Sequence, residues 1–194
     1  MDVEAVLLTG GASRRMGADK ASIVVGEATM SERILAEFER IGVPVTVLGR
    51  TPIGGRPFLP DREEFQGPAS ALSQFMPSYG TVFVCSCDIP SFNADVVPAF
   101  LPLIVGRDAV VPTINGREQY LCALYSASVF ARFRQESARV SAPSMKRIIA
   151  ELNALVVDEP ALEKLGLAPS AFVSANTPDE LNEAIQRMDE QGGE

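Results

Sequence analysis

The chain has 194 residues, of which 46% are hydrophobic and 22% are charged, a balance typical of a globular protein with a sizeable core. Its net charge of −8 argues against general nucleic-acid binding, and no run of 18 apolar residues predicts a membrane span. Because histidine is absent, Ser-His-Asp and Cys-His catalysis are excluded. The N-terminus lacks a basic segment and the chain has three cysteines, so we expect a cytoplasmic protein with reduced thiols.

The chain begins with an apolar run, Val3–Leu8, which predicts a buried strand. The loop after it is rich in glycine and in cations: Gly10, Gly11, Arg14, Arg15, Gly17 and Lys20. Glycines let the backbone approach a ligand closely, and loop N–H groups and cations attract an anion. The spacing matches neither the P-loop nor the dinucleotide fingerprint. This stretch therefore predicts a strand that leads into a phosphate-binding loop of another kind.

Extended and helical patterns alternate along the rest of the chain. The predicted strands after the first are Ile23–Val25, Val43–Leu48, Phe58–Leu59, Thr81–Cys85, Asp108–Pro112, Gln119–Tyr125, Ala154–Val157 and Ala171–Val173. The predicted helices are Met30–Ile41, Ala69–Met76, Asn93–Val105 (capped by Asn93), Ala127–Arg134, Ser144–Leu152 and one that begins at Thr177. Residues 136–143 are polar and predict a loop.

This alternation predicts a single α/β domain over residues 1–194, with three layers and a mostly parallel sheet. Ligands of such sheets bind at the carboxyl ends of the strands. Three candidate segments each follow a predicted strand: Thr9–Lys20, Asp61 and Asp88. We therefore expect them to share one crevice.

Asp88 is the candidate metal ligand, because it follows a buried strand and Mg²⁺ commonly takes one or two carboxylates together with phosphate oxygens. On its position alone, a role as a turn-capping residue is equally probable. The neighbouring Cys85-Ser86-Cys87 would need carboxylate help to form a four-ligand zinc site, so buried strand cysteines are favoured. Taken alone, Asp61 would be a surface turn residue and Asn176 a helix-entry residue.

The stretch Leu8–Lys20 has the form L-x-G-G-x-S-x-R-M-G-x-D-K. It resembles the signature loop of nucleotidyltransferases that activate a phosphorylated substrate, and the molybdenum cofactor guanylyltransferases in particular. Cys87-Asp88-Ile89-Pro90 resembles the C-D-x-P motif of that family, and Asn176-Thr177-Pro178 resembles its N-x-N-T-P element. The resemblance implies a Rossmann-like nucleotidyltransferase fold and transfer of GMP from GTP to molybdopterin, with residues 1–90 binding nucleotide and 91–194 binding acceptor.

The resemblance also implies roles for individual residues. The implied nucleotide-binding residues are Leu8, Thr9, Gly10, Gly11, Lys20, Asp61 and Asp88. Lys20, Arg14 and Asp88 are the implied catalytic residues, Asp88 is the implied Mg²⁺ ligand, and Asn176 is the implied substrate-binding residue. The Gly10-Gly11 pair resembles the guanine-selecting form rather than the cytosine-selecting one. The implied partners are GTP, a molybdopterin-type acceptor and, transiently, cofactor-delivery proteins or molybdoenzymes.

Four places depart from the family pattern: Ala71, Tyr120, Ser174 and Leu48-Gly49, which lacks an asparagine sometimes found after the second strand. These changes concern the acceptor end. Two alternatives therefore stay open at the level of sequence. One is a nucleotidyltransferase for another base or acceptor, such as CTP with molybdopterin, or a sugar phosphate. The other is a non-catalytic protein that binds nucleotide or cofactor.

Overall fold

A computed structural model describes residues 1–10, 20–61 and 66–192. The strands are β1 (Val3–Leu8), β2 (Val24–Val25), β3 (Ala28–Thr29), β4 (Val45–Gly49), β5 (Phe58–Pro60), β6 (Thr81–Ser86), β7 (Ala109–Ile114), β8 (Arg117–Glu118), β9 (Cys122–Ser126) and β10 (Ala154–Val157). The helices are α1 (Met30–Arg40), α2 (Pro68–Ser73), α3 (Val96–Phe100), α4 (Val129–Arg139), α5 (Met145–Ala150), α6 (Glu159–Lys164) and α7 (Pro178–Gly192). Short 3₁₀ turns cover Lys20–Ser22, Leu101–Ile104 and Pro169–Phe172.

The main sheet has the strand order β10-β7-β9-β6-β1-β4-β5, with β8 paired to β7. Strands β5, β4, β1 and β6 pair in parallel, as do β7 and β10. Strand β9 is antiparallel to both of its neighbours, β6 and β7. The predicted α/β class with a mostly parallel sheet is thus confirmed. Strands β2 and β3 form a separate antiparallel hairpin.

Helices cover both faces of the sheet, which gives three layers. Alternate residues of β1 divide between two cores: Val3, Ala5 and Leu7 face one side, and Val6 and Leu8 face the other. The first core includes residues of α1, α3 and α6, and the second includes residues of α2, α4 and α5. A strand buried on both faces has to be apolar at nearly every position, which explains the continuous apolar runs in the sequence.

The carboxyl ends of the central strands lie side by side. Leu8 pairs with Leu48 of β4 on one side and with Ser86 of β6 on the other. On the far side of β4, Gly49 pairs with Pro60 of β5. The segments that follow β1, β4, β5 and β6 therefore all leave the sheet at one edge.

Several element predictions need correction. Residues Ala171–Val173 form no strand, because the 3₁₀ turn Pro169–Phe172 begins with proline and buries Phe172 against Phe100, with ring centroids 6.1 Å apart. The predicted strand Gln119–Tyr125 begins only at Cys122, after a turn. Asp95 rather than Asn93 occupies the N-cap position of helix α3, without a side-chain capping bond, and the helix passes into the 3₁₀ turn Leu101–Ile104.

Two helical segments were missed by the sequence analysis. Helix α4 continues to Arg139 through the stretch that predicts a loop, because Glu136 lies on its buried face and pairs with Arg139 at 3.3 Å. Helix α6 was not predicted at all, although Asp158 caps it by accepting a hydrogen bond from the backbone N–H of Ala161 at 3.0 Å. A search of the described residues finds no helix that is both long and apolar enough to cross a membrane.

Candidate functional site

Thr9 continues β1 and is held tightly against the end of β4. Its backbone N–H donates to the Leu48 carbonyl at 2.9 Å, and its buried hydroxyl donates to the same oxygen at 3.4 Å. A Cβ built on Gly49 would lie 2.0 Å from Thr9 Oγ1. Only glycine at position 49 therefore allows Thr9 to take this place, and the start of the glycine-rich loop depends on that approach.

Asp61 follows β5 and reaches the same loop from the other side of β4. Its backbone N–H donates to the Gly49 carbonyl at 2.8 Å. A Cβ built on Gly10 would lie 3.5 Å from Asp61 Oδ2, so the carboxylate is adjacent to the Gly10 backbone. Gln74, the C-cap of α2, donates from Nε2 to Asp61 Oδ1 at 3.3 Å. The predicted proximity of Asp61 to the glycine-rich loop is confirmed.

Asp88 follows β6 and is connected to the end of β1 through its neighbour. The backbone N–H of Cys87 donates to the Leu8 carbonyl at 3.0 Å. The Ser86 hydroxyl donates to Asp88 Oδ1. Asp88 is therefore fixed beside the strand from which the glycine-rich loop starts.

Asn176 lies in a segment that is tied to Asp88. The N–H of Ala175 donates to the Asp88 carbonyl at 2.7 Å. The Asn176 amide Nδ2 donates to Ser174 Oγ at 3.2 Å, and the Asn176 N–H donates to Glu180 Oε2 at 2.6 Å. The segment before α7 thus adjoins the Asp88 end of the crevice, and Glu180 fixes the turn that enters the helix.

Three candidate residues are not placed in full. Gly11 and Arg14 lie outside the described residues. Lys20 begins the 3₁₀ turn Lys20–Ser22, and only its backbone is described. Their roles in phosphate binding stay predictions.

A cation that bridges substrate phosphates is chemically compatible with this donor set. Within the ranges that the structure describes, no group of three or more His, Cys, Asp or Glu residues is arranged to hold a metal. A closed, all-protein metal site is therefore not found there. Asp88 supplies a hard carboxylate oxygen, and Mg²⁺ commonly combines one or two carboxylates with phosphate oxygens and water. The residues present thus fit a metal that arrives with a triphosphate.

The three cysteines are free and buried. Cys85 and Cys122 lie opposite each other on the antiparallel strands β6 and β9. Burial raises the pKa of the Cys85 thiol well above its ordinary value, and the hydrogen bond with Cys122 contributes to the rise. These cysteines are therefore part of the core, as the sequence favours, and not thiolate ligands.

Three of the positions that depart from the family pattern, Ala71, Tyr120 and Ser174, have structural roles here. Ala71 is buried in α2, where its side chain belongs to the second core. The Tyr120 carbonyl accepts a hydrogen bond from the buried Tyr125 hydroxyl at 2.7 Å. Ser174 accepts from Asn176, as described above. Of these three residues, Ser174 contacts a candidate site residue, Asn176.

Four residues that hold the candidate groups in place were not predicted from the sequence: Gly49, Gln74, Ser86 and Ala175. Only Gly49 has a signal in the sequence, since a glycine at the end of an apolar strand indicates close backbone approach. Gln74 and Ala175 act through hydrogen bonds between separate elements, whereas Ser86 bonds to Asp88 two residues further along the chain.

The chain is similar to known proteins in sequence and in fold. The family described as MobA-like NTP transferase domain matches residues 5–156. The chain is 32% identical over 164 residues to a probable molybdenum cofactor guanylyltransferase of Mycobacterium ulcerans, covering 74% of this chain and 82% of the relative. It is 28% identical over 185 residues to the probable molybdenum cofactor guanylyltransferase of Pelotomaculum thermopropionicum, covering 92% of this chain and 90% of the relative.

Among solved structures, molybdopterin-guanine dinucleotide biosynthesis protein A from Archaeoglobus fulgidus has a similar fold. The TM-score is 0.81 at 19% identity, and the match covers 96% of this chain and 99% of the other. This likeness supports the nucleotidyltransferase fold predicted from the sequence.

Proposed function

The chain belongs to the MobA-like NTP transferase domain family, and from that premise we propose that it is a molybdenum cofactor guanylyltransferase. It transfers GMP from GTP to the terminal phosphate of molybdopterin, with or without bound molybdenum, and releases pyrophosphate. The observation that carries the proposal is the hydrogen bond from Cys87 to Leu8, because it holds Asp88 against the start of the glycine-rich loop. Family membership makes the chain a nucleotidyltransferase; the base and acceptor are part of the proposal.

The nucleotide occupies the half of the crevice formed by β1, β4 and β5. Leu8, Thr9, Gly10 and Gly11 contact the guanine and ribose through the backbone of the loop. Asp61, adjacent to Gly10, contacts the nucleotide from the β5 side. The glycines are suited to this role because a bare backbone can come within hydrogen-bonding distance of a base.

The phosphate end of the site lies toward β6. Arg14 and Lys20 bind the triphosphate and stabilise the departing pyrophosphate. Asp88 holds Mg²⁺, which when bound neutralises negative charge on the phosphates. Asn176 orients the acceptor from the segment tied to Asp88. Residues 1–90 form the nucleotide-binding half of a single domain, and residues 91–194 form the acceptor-binding half.

The transfer itself needs no protein nucleophile. An oxygen of the acceptor phosphate forms a bond to the α-phosphorus of GTP, and the bond from that phosphorus to the bridging β-phosphate oxygen breaks. A phosphate monoester is already ionised at neutral pH, so no general base is required. The chain therefore acts by positioning and by charge stabilisation. We place this reaction in the cytoplasm, where free buried cysteines are stable, with transient hand-over to delivery proteins or molybdoenzymes.

The test is a panel of GTP, CTP, ATP and UTP, each with and without Mg²⁺, read as the thermal unfolding midpoint. A ligand at 100 times its Kd stabilises by about 2.7 kcal/mol, which corresponds to about 5–10 °C for a chain of this length. A Mg²⁺-enhanced shift with GTP alone is expected. A shift with CTP instead would replace the guanylyl assignment by the cytidylyl one, and no shift with any nucleotide would contradict the proposal.

Turnover is tested with molybdopterin as acceptor and pyrophosphate release as the signal. Asp88→Ala is expected to lower the rate at least about 100-fold, the scale of a lost electrostatic contact in an active site. Near wild-type turnover would refute the role of Asp88. GTP binding without pyrophosphate release, given a properly folded wild-type protein, would favour a non-catalytic binding protein.

A further inference from the structure

We propose that Ser86 is a positioning residue for this reaction: its hydroxyl sets the rotamer of the Asp88 carboxylate that binds the metal–nucleotide complex. The inference rests on the proposed function and extends it to a side chain outside the C-D-x-P motif. The observation behind it is the hydrogen bond from Ser86 Oγ to Asp88 Oδ1.

The backbone around Asp88 is fixed on three sides. Ser86 N–H donates to the Leu121 carbonyl at 2.8 Å, which anchors the segment toward β9. Cys87 N–H donates to the Leu8 carbonyl at 3.0 Å, which anchors it to β1. The Asp88 carbonyl accepts from Ala175 N–H at 2.7 Å, which anchors it to the segment before α7. The position of the Asp88 Cα is therefore set by three separate parts of the fold.

These backbone bonds leave the side-chain torsions of Asp88 to be determined. An aspartate has a few staggered χ1 rotamers and a broad χ2, so a fixed Cα alone does not aim its carboxylate. Strand β6 ends at Ser86, and the turn at Cys87 and Asp88 brings the Asp88 carboxylate to the Ser86 hydroxyl. A hydroxyl that donates to one carboxylate oxygen restrains both torsions.

Ser86 is suited to this task because it is itself well held. It is the last residue of β6, paired with Leu8 of β1, and its side chain is half-buried. Ligating carboxylates are usually oriented by such outer hydrogen bonds, and loss of one typically costs 10–100-fold in metal affinity or activity. A donor with a fixed backbone orients the carboxylate before the metal and the nucleotide bind.

The experiment titrates Mg²⁺ into the full chain at a fixed saturating GTP concentration and follows the metal-dependent rise in thermal midpoint. No acceptor is added, so turnover does not contribute. Ser86→Ala is expected to raise the half-effect Mg²⁺ concentration about 10–100-fold. Ser86→Thr keeps the hydroxyl and is expected to stay close to wild type.

A second pair of variants, Ser86→Val and Ser86→Thr, distinguishes loss of the hydroxyl from a folding defect. Thr and Val have nearly the same shape, so Ser86→Val should behave like Ser86→Ala while Ser86→Thr does not. Ser126→Ala is the matched control, because Ser126 also ends a strand but pairs with Thr81 at the opposite end of β6. Its metal titration should equal that of wild type.

The outcomes separate this proposal from the proposed function. If Asp88→Asn shifts the Mg²⁺ titration and neither Ser86→Ala nor Ser86→Val does, the positioning role is refuted and the function stands. If neither GTP nor Mg²⁺ changes the wild-type midpoint, the proposed function fails, and the role of Ser86 fails with it. A rise in half-effect concentration for Ala and Val, but not Thr, supports the proposal.

Discussion

Gly49→Ala is expected to disturb both the stability of the protein and the start of the nucleotide loop. The added Cβ would lie 2.0 Å from Thr9 Oγ1 and 3.2 Å from the Gly10 nitrogen. Real Cβ atoms essentially never approach a heavy atom at 2.0 Å, so Thr9 has to move. Because threonine carries two heavy atoms on Cβ, only one of its three staggered rotamers would vacate that position. That rotation would also break the hydrogen bond from the Thr9 hydroxyl to the Leu48 carbonyl.

The size of the effect follows from two opposing contributions. At a site with open space, Gly→Ala stabilises by about 0.4–1 kcal/mol by restricting the unfolded chain. Forcing extra atoms into a packed site costs about 1–3 kcal/mol. At position 49 the clash should prevail, and each kcal/mol shifts the thermal midpoint by about 2–4 °C in a chain of this length. The net cost is then at most about 2.6 kcal/mol, so we expect a loss of up to about 10 °C, together with a smaller GTP-dependent shift.

A double-mutant cycle with Thr9→Ala isolates the contact. Thr9→Ala removes Oγ1, so Gly49→Ala should cost less in that background, with a coupling of about 0.5–3 kcal/mol. Gly80→Ala is the control, because the atoms nearest to its Cβ would belong to the exposed Asp2 side chain, with Oδ2 at 2.3 Å. This flexible side chain can swing aside at the cost of one exposed hydrogen bond from the Gly80 N–H. Equal costs of Gly49→Ala in the two backgrounds, or no cost in either, would refute the reasoning.

Two further predictions concern thiol chemistry and pH. Cys85, Cys87 and Cys122 should react slowly with a thiol reagent in the folded protein, because they are buried and the pKa of Cys85 is raised. All three should react in denaturant. Fast labelling of Cys85 under native conditions would contradict this prediction. Glu32 accepts hydrogen bonds from Thr29 N–H and Oγ1, and these lower its pKa below the ordinary 4.5. A group whose pKa is lower in the folded state than in the unfolded state stabilises the folded protein at pH values above its unfolded-state pKa. That stabilisation is lost as the pH falls through the folded-state pKa. Glu32→Gln should therefore lower the thermal unfolding midpoint at pH 7 and not at strongly acidic pH. If the difference in midpoint between wild type and variant were the same in acid, the capping contact would not depend on an ionised Glu32.

Much of the fold follows from local pattern. Strands β1 and β10 have the predicted ends, and α1 ends one residue before the predicted limit, at Arg40. These segments combine a strong hydrophobic period with clear end signals, so local and tertiary preferences agree. The errors fall where they disagree: Glu136 is a charged residue on a buried helical face, and Pro169 begins a turn in a segment with strand-like composition.

The candidate site divides in the same way. The glycine-rich loop and the C-D-x-P motif are local, so the family resemblance that they carry was enough to make Thr9, Gly10 and Asp88 candidates. Two of the residues that position them are distant in the chain. Gly49 contacts Thr9 between the neighbouring strands β4 and β1, and Ala175 bonds to Asp88 from the C-terminal part of the chain. No pattern in the sequence links position 175 to position 88.

The sequence alone predicted the class of fold, which the structure confirms. It also predicted a phosphate-binding first loop, and its family resemblance implied Asp88 as the metal ligand; both stay predictions. Only the tertiary structure decided that the ends of β1, β4, β5 and β6 meet at one edge of the sheet, and that Gly49 and Gln74 hold the candidate groups there. The physical reason is range. Backbone propensity and hydrophobic period act over a few residues and leave a trace in the chain, whereas hydrogen bonds and steric fit between strands depend on pairing that forms only on folding.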